Sequence, residues 1–227
     1  MSADFSQIVK ERRACRLYKP DAVPEAVIRD ILAEARWAPS ASNTQSTNVY
    51  VLQGEKLATF KTEMRALAES ELEPSPDFPN RPHPPFLAER QQVLFKARAE
   101  FVAAEDAKSG VDHATSPSNP MVAGPAIFGA PVVLMLGFDK DMSMGYGLFD
   151  AGLFSMNICL AAEARGLATC ITGSNTRYPD VIRKLVPGTD NINYVVAIAL
   201  GYPDWNAPIN RFPRTRLAVD EFTTFVK

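Results

Sequence analysis

Arg36-Trp37-Ala38-Pro39-Ser40-Ala41-Ser42-Asn43-Thr44-Gln45 is the stretch on which the reading of this chain turns. It closes an apolar-striped segment, Pro24 to Trp37, and hands over to the hydrophobic run Val49-Tyr50-Val51-Leu52. Proline has no amide donor and disfavours helical geometry in the residue before it, so Ala38-Pro39 stops a helix. A knot of small polar residues follows, offering amides and hydroxyls on a short connection anchored at both ends. A rigid scaffold presents a polar ligand in this way. The same stretch also reads as an ordinary helix-to-strand turn.

On the N-terminal side, Val27, Ile28, Ile31, Leu32 and Ala35 have the spacing of a buried helical stripe, with Pro24 suited to the first helical position. Before it, Phe5 to Cys15 reads as a short helix that Asp4 or Ser6 could cap. It ends in Arg12, Arg13 and Arg16. Three guanidiniums in five residues suit a phosphate or a carbonyl edge, and they equally suit a solvated helix end whose charges complement the dipole.

On the C-terminal side, Asn48 to Leu52 predicts a strand and Gly54 to Leu72 a helix. Prolines from Pro74 to Pro85 exclude regular structure, a helix spans about Phe86 to Lys108, and Gly110 to Pro125 is loop-like again. Residues 73–125 thus form a helical excursion rather than a domain, and the whole chain, 1–227, reads as one domain. Such excursions are functional covers or mobile segments.

The rest alternates. Ala130 to Gly137 is a buried strand, and Gly147 to Arg165 a helix apolar nearly all round, suited to a central place or a subunit interface. Ala168 to Ile171 is a short strand running into the polar turn Thr172-Gly173-Ser174-Asn175. Tyr178 to Leu185 is a helix and Tyr194 to Leu200 the last clear strand. The tail Phe222-Thr223-Thr224-Phe225-Val226 is β-prone and wants a partner, its own sheet edge or a second chain. This order predicts an α+β three-layer fold, a central mixed sheet flanked by helices.

Composition sets bounds. Of the 227 residues, 46% are apolar and 22% charged, ordinary for a globular chain with a substantial core. A net charge of -2 gives no global pull toward nucleic acid or anionic membrane. Cys15, Cys159 and Cys170 lie far apart with no C-x-x-C, which disfavours disulfides and a structural zinc site. Met1 to Lys10 lacks a leader pattern and Ile127 to Phe138 is too short to span a bilayer, so a cytoplasmic protein is expected.

There is no G-x-G-x-x-G after a strand, no P-loop, no G-x-S-x-G elbow and no H-E-x-x-H. Side-chain acid, base or nucleophile chemistry therefore has few players, so an enzyme here would lean on a cofactor.

Arg12-Arg13-Ala14-Cys15-Arg16-Leu17-Tyr18 resembles the R-R-S-x-R-x-[FY] opening of the flavin-dependent nitroreductase family. Ala35 to Gln45 is similar to its A-x-x-A-P-S-x-x-N-x-Q block, and Gly129-Ala130-Pro131-Val132-Val133 to its A-P strand. The helix ending Ala161 to Leu167, with its Gly166 stop, looks like the long central helix. Leu200-Gly201-Tyr202-Pro203 followed by Arg214-Thr215-Arg216-Leu217 looks like the closing block. Five blocks in order are far more specific than any one.

The resemblance implies an FMN-binding homodimer with sites at the subunit interface and the C-terminal tail exchanged. Arg12, Arg13, Ala14 and Arg16 would meet the flavin pyrimidine edge and phosphate, and Arg214 and Arg216 would complete the phosphate clamp. Pro39, Ser40, Ala41 and Asn43 would come from the other subunit, supported by Gln45. Ile171, Thr172 and Gly173 would lie along the ring, with a backbone N–H near N5. No side chain is expected to be catalytic and no metal is expected. Ala14 stands where the family commonly has serine, and Thr172 where an acidic residue or glycine is frequent.

The implied activity is hydride transfer from NADH or NADPH, through flavin N5, to a nitroaromatic compound or quinone in a ping-pong cycle. The same flavin could serve dehalogenation or enone reduction instead, or a storage or regulatory protein with little turnover.

Overall fold

The computed structural model describes residues 4–70, 72–79 and 81–227; readings that fall on Met1–Ala3, Glu71 and Asn80 lie outside the described residues. The apolar run after Ala130 becomes strand β2 (Val132–Asp139), buried at every position but its last. Only a strand covered on both faces tolerates such a run. It pairs antiparallel with β1 (Asn48–Leu52) on one side and with β4 (Ile192–Gly201) on the other. Strand β3 (Ala168–Thr172) adds to β4, giving the order β1-β2-β4-β3. Gly137 sits at a register shift against β4, where a Cβ would fall 2.6 Å from the Asn193 carbonyl oxygen.

Helices cover both faces, as the three-layer expectation requires. On one face, Leu57, Phe60 and Met64 of α3 (Gly54–Glu69) and Ile182 of α7 (Pro179–Leu185) pack with Val133, Met135, Ala197 and Ala199. On the other, Ile28 and Ile31 of α2 (Glu25–Ala35) and Ile158 and Ala162 of α6 (Met144–Glu163) pack with Leu134, Leu136, Ile198 and Leu200. Each such fully buried aliphatic side chain contributes about 1.5–3 kcal/mol. Gly147 lets the first turn of α6 rest on Phe138, since a Cβ there would meet that ring at 2.6 Å.

The sheet corrects the expectation of mixed pairing: all four strands pair antiparallel. Helix α6 does return the chain so that β3 runs parallel to β2, but β4 inserts between them. Among the described residues the parallel contact is an isolated bridge, Ala14 to Thr169, along the outer edge of β3.

That bridge also explains a second departure. Helix α1 (Phe5–Glu11) is capped by Asp4, whose carboxylate accepts from Ser6 N at 3.3 Å, but it stops short of Cys15. Arg12 leaves helical geometry because the Cys15 amide donates to the Thr169 carbonyl at 2.9 Å. Pro24 stands at the cap of α2 rather than inside its first turn.

The excursion is pinned at two places. Asp77 pairs with Arg183 at 2.7 Å, both mostly buried, and also accepts from Tyr194 N at 2.8 Å. Helix α4 (Pro85–Lys108) docks through its C-terminal third, with Val102 on Ala207 and Ile209 and the Phe101 ring 5.6 Å from Phe212. A short helix α5 (Pro120–Ala123) lies within the stretch read as loop, and α8 (Pro208–Arg211) precedes an extended C-terminal segment. In the single chain, residues 223–227 pair with no strand and Phe225 is 73% exposed.

Candidate functional site

The segment after α1 is stapled to the edge of β3. Tyr18 OH donates toward the Cys15 and Ala199 carbonyls at 3.0 and 3.3 Å. Fully buried Asn210 accepts from Arg16 N at 2.7 Å and donates to the Leu17 and Asp204 carbonyls at 2.7 and 2.8 Å. Extending the parallel register of Ala14 with Thr169 sets Arg16 beside Ile171. Ile171 is 44% exposed although its neighbour Cys170 is buried, so β3 turns an apolar side chain outward beside a guanidinium.

Around this edge the structure gathers the predicted arginines. Arg214 donates to the Lys10 carbonyl at 2.8 Å and to the Arg12 carbonyl, tying the C-terminal segment to the end of α1. Arg13 donates to the Phe212 carbonyl and lies 5.9 Å from the Trp205 ring centroid. Arg216 donates to its neighbour Thr215 at 2.7 Å. Burial, then the charges of Arg214 and Arg16, hold Arg13 below the usual guanidinium range. Arg214 is lowered by burial, then by Arg216 and Arg12. Burial and then Glu11 push the Glu163 carboxyl up, against the pull of Arg12, Arg214 and Arg13, which locates the cluster at the C-terminal end of α6.

Among the described residues, none of these five arginines forms an ion pair with a carboxylate. Arg12 Nε is buried without a hydrogen-bond partner. Like charges collected with no carboxylate in ion-pair contact are the makings of an anion site.

The Pro39–Gln45 turn is built as tightly as its sequence suggests. Ser42, Asn43 and Gln45 all have positive φ, near 51–57°, a strained state for residues other than glycine. Ser40 Oγ accepts from Gln45 N at 2.9 Å, and Gln45 Nε2 donates to the Asn43 carbonyl at 3.4 Å. The anchor is Asp150 of α6, 2% exposed, which accepts from Ala41 N at 3.1 Å and Ser46 Oγ at 3.2 Å. Sequence reasoning missed Asp150. Its signal was an acid in the first half of a helix apolar nearly all round.

One chain does not bring these two halves together. Asp150 and Glu163 stand more than three turns apart on α6, about 20 Å at 1.5 Å per residue. The third predicted element does join the arginines, because Ile171 and Thr172 end β3 and Gly173 follows directly. Thr172 Oγ1 donates to Asn175 Oδ1 at 3.0 Å, and Asn175 Nδ2 donates to the Gly124 carbonyl at 3.4 Å, which fixes that turn.

A sixth arginine escaped the sequence reading. Arg98 of α4 is half-buried, while residues 91–97 and 99–100 around it are all exposed. Its guanidinium lies 5.1 Å from the Phe95 ring centroid. Burial, then the charge of Arg16, lowers it.

Among the described residues no group of three or more His, Cys, Asp and Glu side chains could hold a metal. The three cysteines are free and buried, and burial pushes the Cys15 thiol up to about 12. No helix among the described residues is long and apolar enough to cross a membrane.

A family model described as the nitroreductase family matches residues 9–202. The chain is 31% identical over 228 residues to the 4-nitrobenzoate reductase of Pseudomonas putida, covering 100% of this chain and 97% of that protein. It is 31% identical over 224 residues to nitroreductase NfnB of Mycolicibacterium smegmatis, covering 96% and 91%. The crystal structure of the FMN-dependent nitroreductase NfnB from Mycobacterium smegmatis in complex with NADPH matches with a TM-score of 0.82 and 29% identity, covering 98% of this chain and 97% of that one.

Proposed function

The chain belongs to the nitroreductase family, and from that membership we propose an FMN-dependent oxidoreductase that uses NADH or NADPH to reduce nitroaromatic compounds or quinones. The observation that carries this reading is the set of five arginines without ion pairs beside outward-facing Ile171. A planar cofactor with a phosphate at one end and an electron-poor carbonyl edge at the other fits that set. Arg12 Nε lacks the partner such a group would provide.

Bound FMN would supply a hydride acceptor and donor between the nicotinamide and the electron-poor acceptor. The chain supplies the rest. Arg12, Arg13 and Arg16 would hold the pyrimidine edge and phosphate, where fixed guanidiniums favour negative charge. Ala14 contributes only backbone, its missing hydroxyl costing a net of roughly 1 kcal/mol that neighbouring donors offset. Arg214 and Arg216 would complete the hold on the phosphate, and Ile171, Thr172 and Gly173 would lie along the ring and offer backbone amides to it.

The Pro39–Gln45 turn enters from a second copy. The outer face of α6 exposes Leu148, Phe149, Gly152 and Met156, an apolar stripe with a small residue at its centre. Two such helices packed antiparallel about a twofold axis would place the Asp150 end of each against the arginine end of the other. Pro39, Ser40, Ala41 and Asn43 then complete the partner's site. The unpaired C-terminal tail would cross to the same neighbour.

The experiment is product analysis under nitrogen with NADPH and a nitroaromatic acid or a quinone. Nicotinamide oxidation matched by loss of the nitro group or quinone supports the proposal. Oxidation without reduced product, or none with any acceptor, refutes it.

A further inference from the structure

We infer that Arg98 makes this site select aromatic acceptors that carry a carboxylate, by pairing with that carboxylate at the mouth between α4 and the end of β3. The inference rests on the FMN reading above and deepens it.

Helix α4 meets the body through one face. Val102 packs on Ala207 and Ile209, with Leu17 against the same cluster, and Glu105 pairs with Arg211 at 3.2 Å. Residues 98, 101, 102 and 105 recur at three- and four-residue spacing, so they share that face. Arg98 is therefore one turn further out, over the segment that carries Arg16 and Leu17. Its half-burial, alone in a run of exposed positions, agrees with that direction.

The surroundings describe the ligand. Beyond Arg98 the helix exposes Leu94 and Phe95, and β3 exposes Ile171 beside Arg16. Exposed apolar side chains on both elements thus accompany a guanidinium held 5.1 Å from the Phe95 ring centroid. Among the described residues Arg98 forms no ion pair, and neither does Arg16. Two like charges from separate elements repel until an anion joins them. On the functional reading above Arg16 would serve the flavin edge, which leaves Arg98 for the incoming molecule.

A guanidinium fork takes a carboxylate with two parallel hydrogen bonds. In a benzoate, charge and ring lie within one side chain's reach of each other, matching the closeness of Arg98 to Phe95. A nicotinamide nucleotide carries its phosphates beyond a ribose, too far from the reacting ring for the same pairing.

The test uses the full-length FMN-loaded protein and the variants Arg98→Met and Arg98→Lys, with 4-nitrobenzoate and its neutral amide, 4-nitrobenzamide, as acceptors. Wild type should prefer the acid. Arg98→Met should lose about tenfold to a hundredfold in kcat/KM for the acid, chiefly through KM, and about nothing for the amide. Arg98→Lys should keep part of the preference. Benzoate binding, read from its perturbation of the flavin spectrum, should weaken in parallel, while FMN affinity and the rate of bleaching by NADPH stay unchanged. Equal losses on both acceptors, a loss confined to the NADPH half-reaction, or no acid preference in wild type would overturn the inference. A wild-type protein that takes up no FMN would overturn the functional reading, and the inference with it.

Discussion

Arg214 donates from both terminal nitrogens to carbonyls of its own chain, at Lys10 and Arg12, so it orders the arginine cluster as well as adding charge to it. Replacing Arg214 and Arg216 with Ala should raise the FMN dissociation constant by at least about tenfold, because two charge-assisted hydrogen-bond donors to the phosphate are removed. A fluorescence titration of free FMN reads this directly, and an unchanged constant would remove both residues from the site. Asp150 is the matching test for the opposite end of α6. Asp150→Ala leaves the Ala41 amide and Ser46 hydroxyl without their acceptor, a cost of about 2–3 kcal/mol. Thermal unfolding should then fall by roughly 5–10 °C, and an unshifted midpoint would contradict the anchoring role. Cys15 gives a pH prediction. Its thiol rises from the ordinary 9.0 to about 12 by burial, so the native state keeps a proton that the unfolded chain releases. That contribution is intact below pH 9.0 and is lost as pH climbs toward about 12. Cys15→Ala should flatten the alkaline decline of the urea midpoint in that window; parallel profiles would contradict it.

At the scale of elements, α6 links the two parts of the site and offers the face through which two chains would meet. Phe149→Glu puts a charge on its exposed stripe. Sedimentation should show the protein shifting from dimer to monomer and releasing FMN, because the Pro39–Gln45 turn would no longer reach the other chain. A dimer with full flavin would rule out this interface. The elements were mostly legible in sequence because their periodicity is local: the stripe of α2 and the continuous run of β2 appear where the spacing puts them. What failed was set by distant parts of the chain. No local pattern could end α1 before Cys15, since the cause is the Thr169 carbonyl on another element. Nor could it say that β4 inserts between β2 and β3, making every pairing antiparallel.

At the scale of the molecule, the candidate residues were legible as motifs, and their arrangement only through the family resemblance. Arg12, Arg13, Arg16, Arg214 and Arg216 converge within one chain, but the Pro39–Gln45 turn lies at the far end of α6, where only a second copy could make it useful. Asp150 and Arg98 were invisible for a common reason: each acts through the element it faces, and a sequence does not print which way a helix turns. The exposed apolar stripe, the strained turn and the unpaired tail all ask for a partner chain, and the arginines without ion pairs ask for an anion. The most direct test of the whole reading is the visible absorbance of the purified protein under nitrogen, before and after NADPH. Flavin bands that bleach on addition and return with 4-nitrobenzoate are the predicted result. A colourless protein that takes up no added FMN would contradict it.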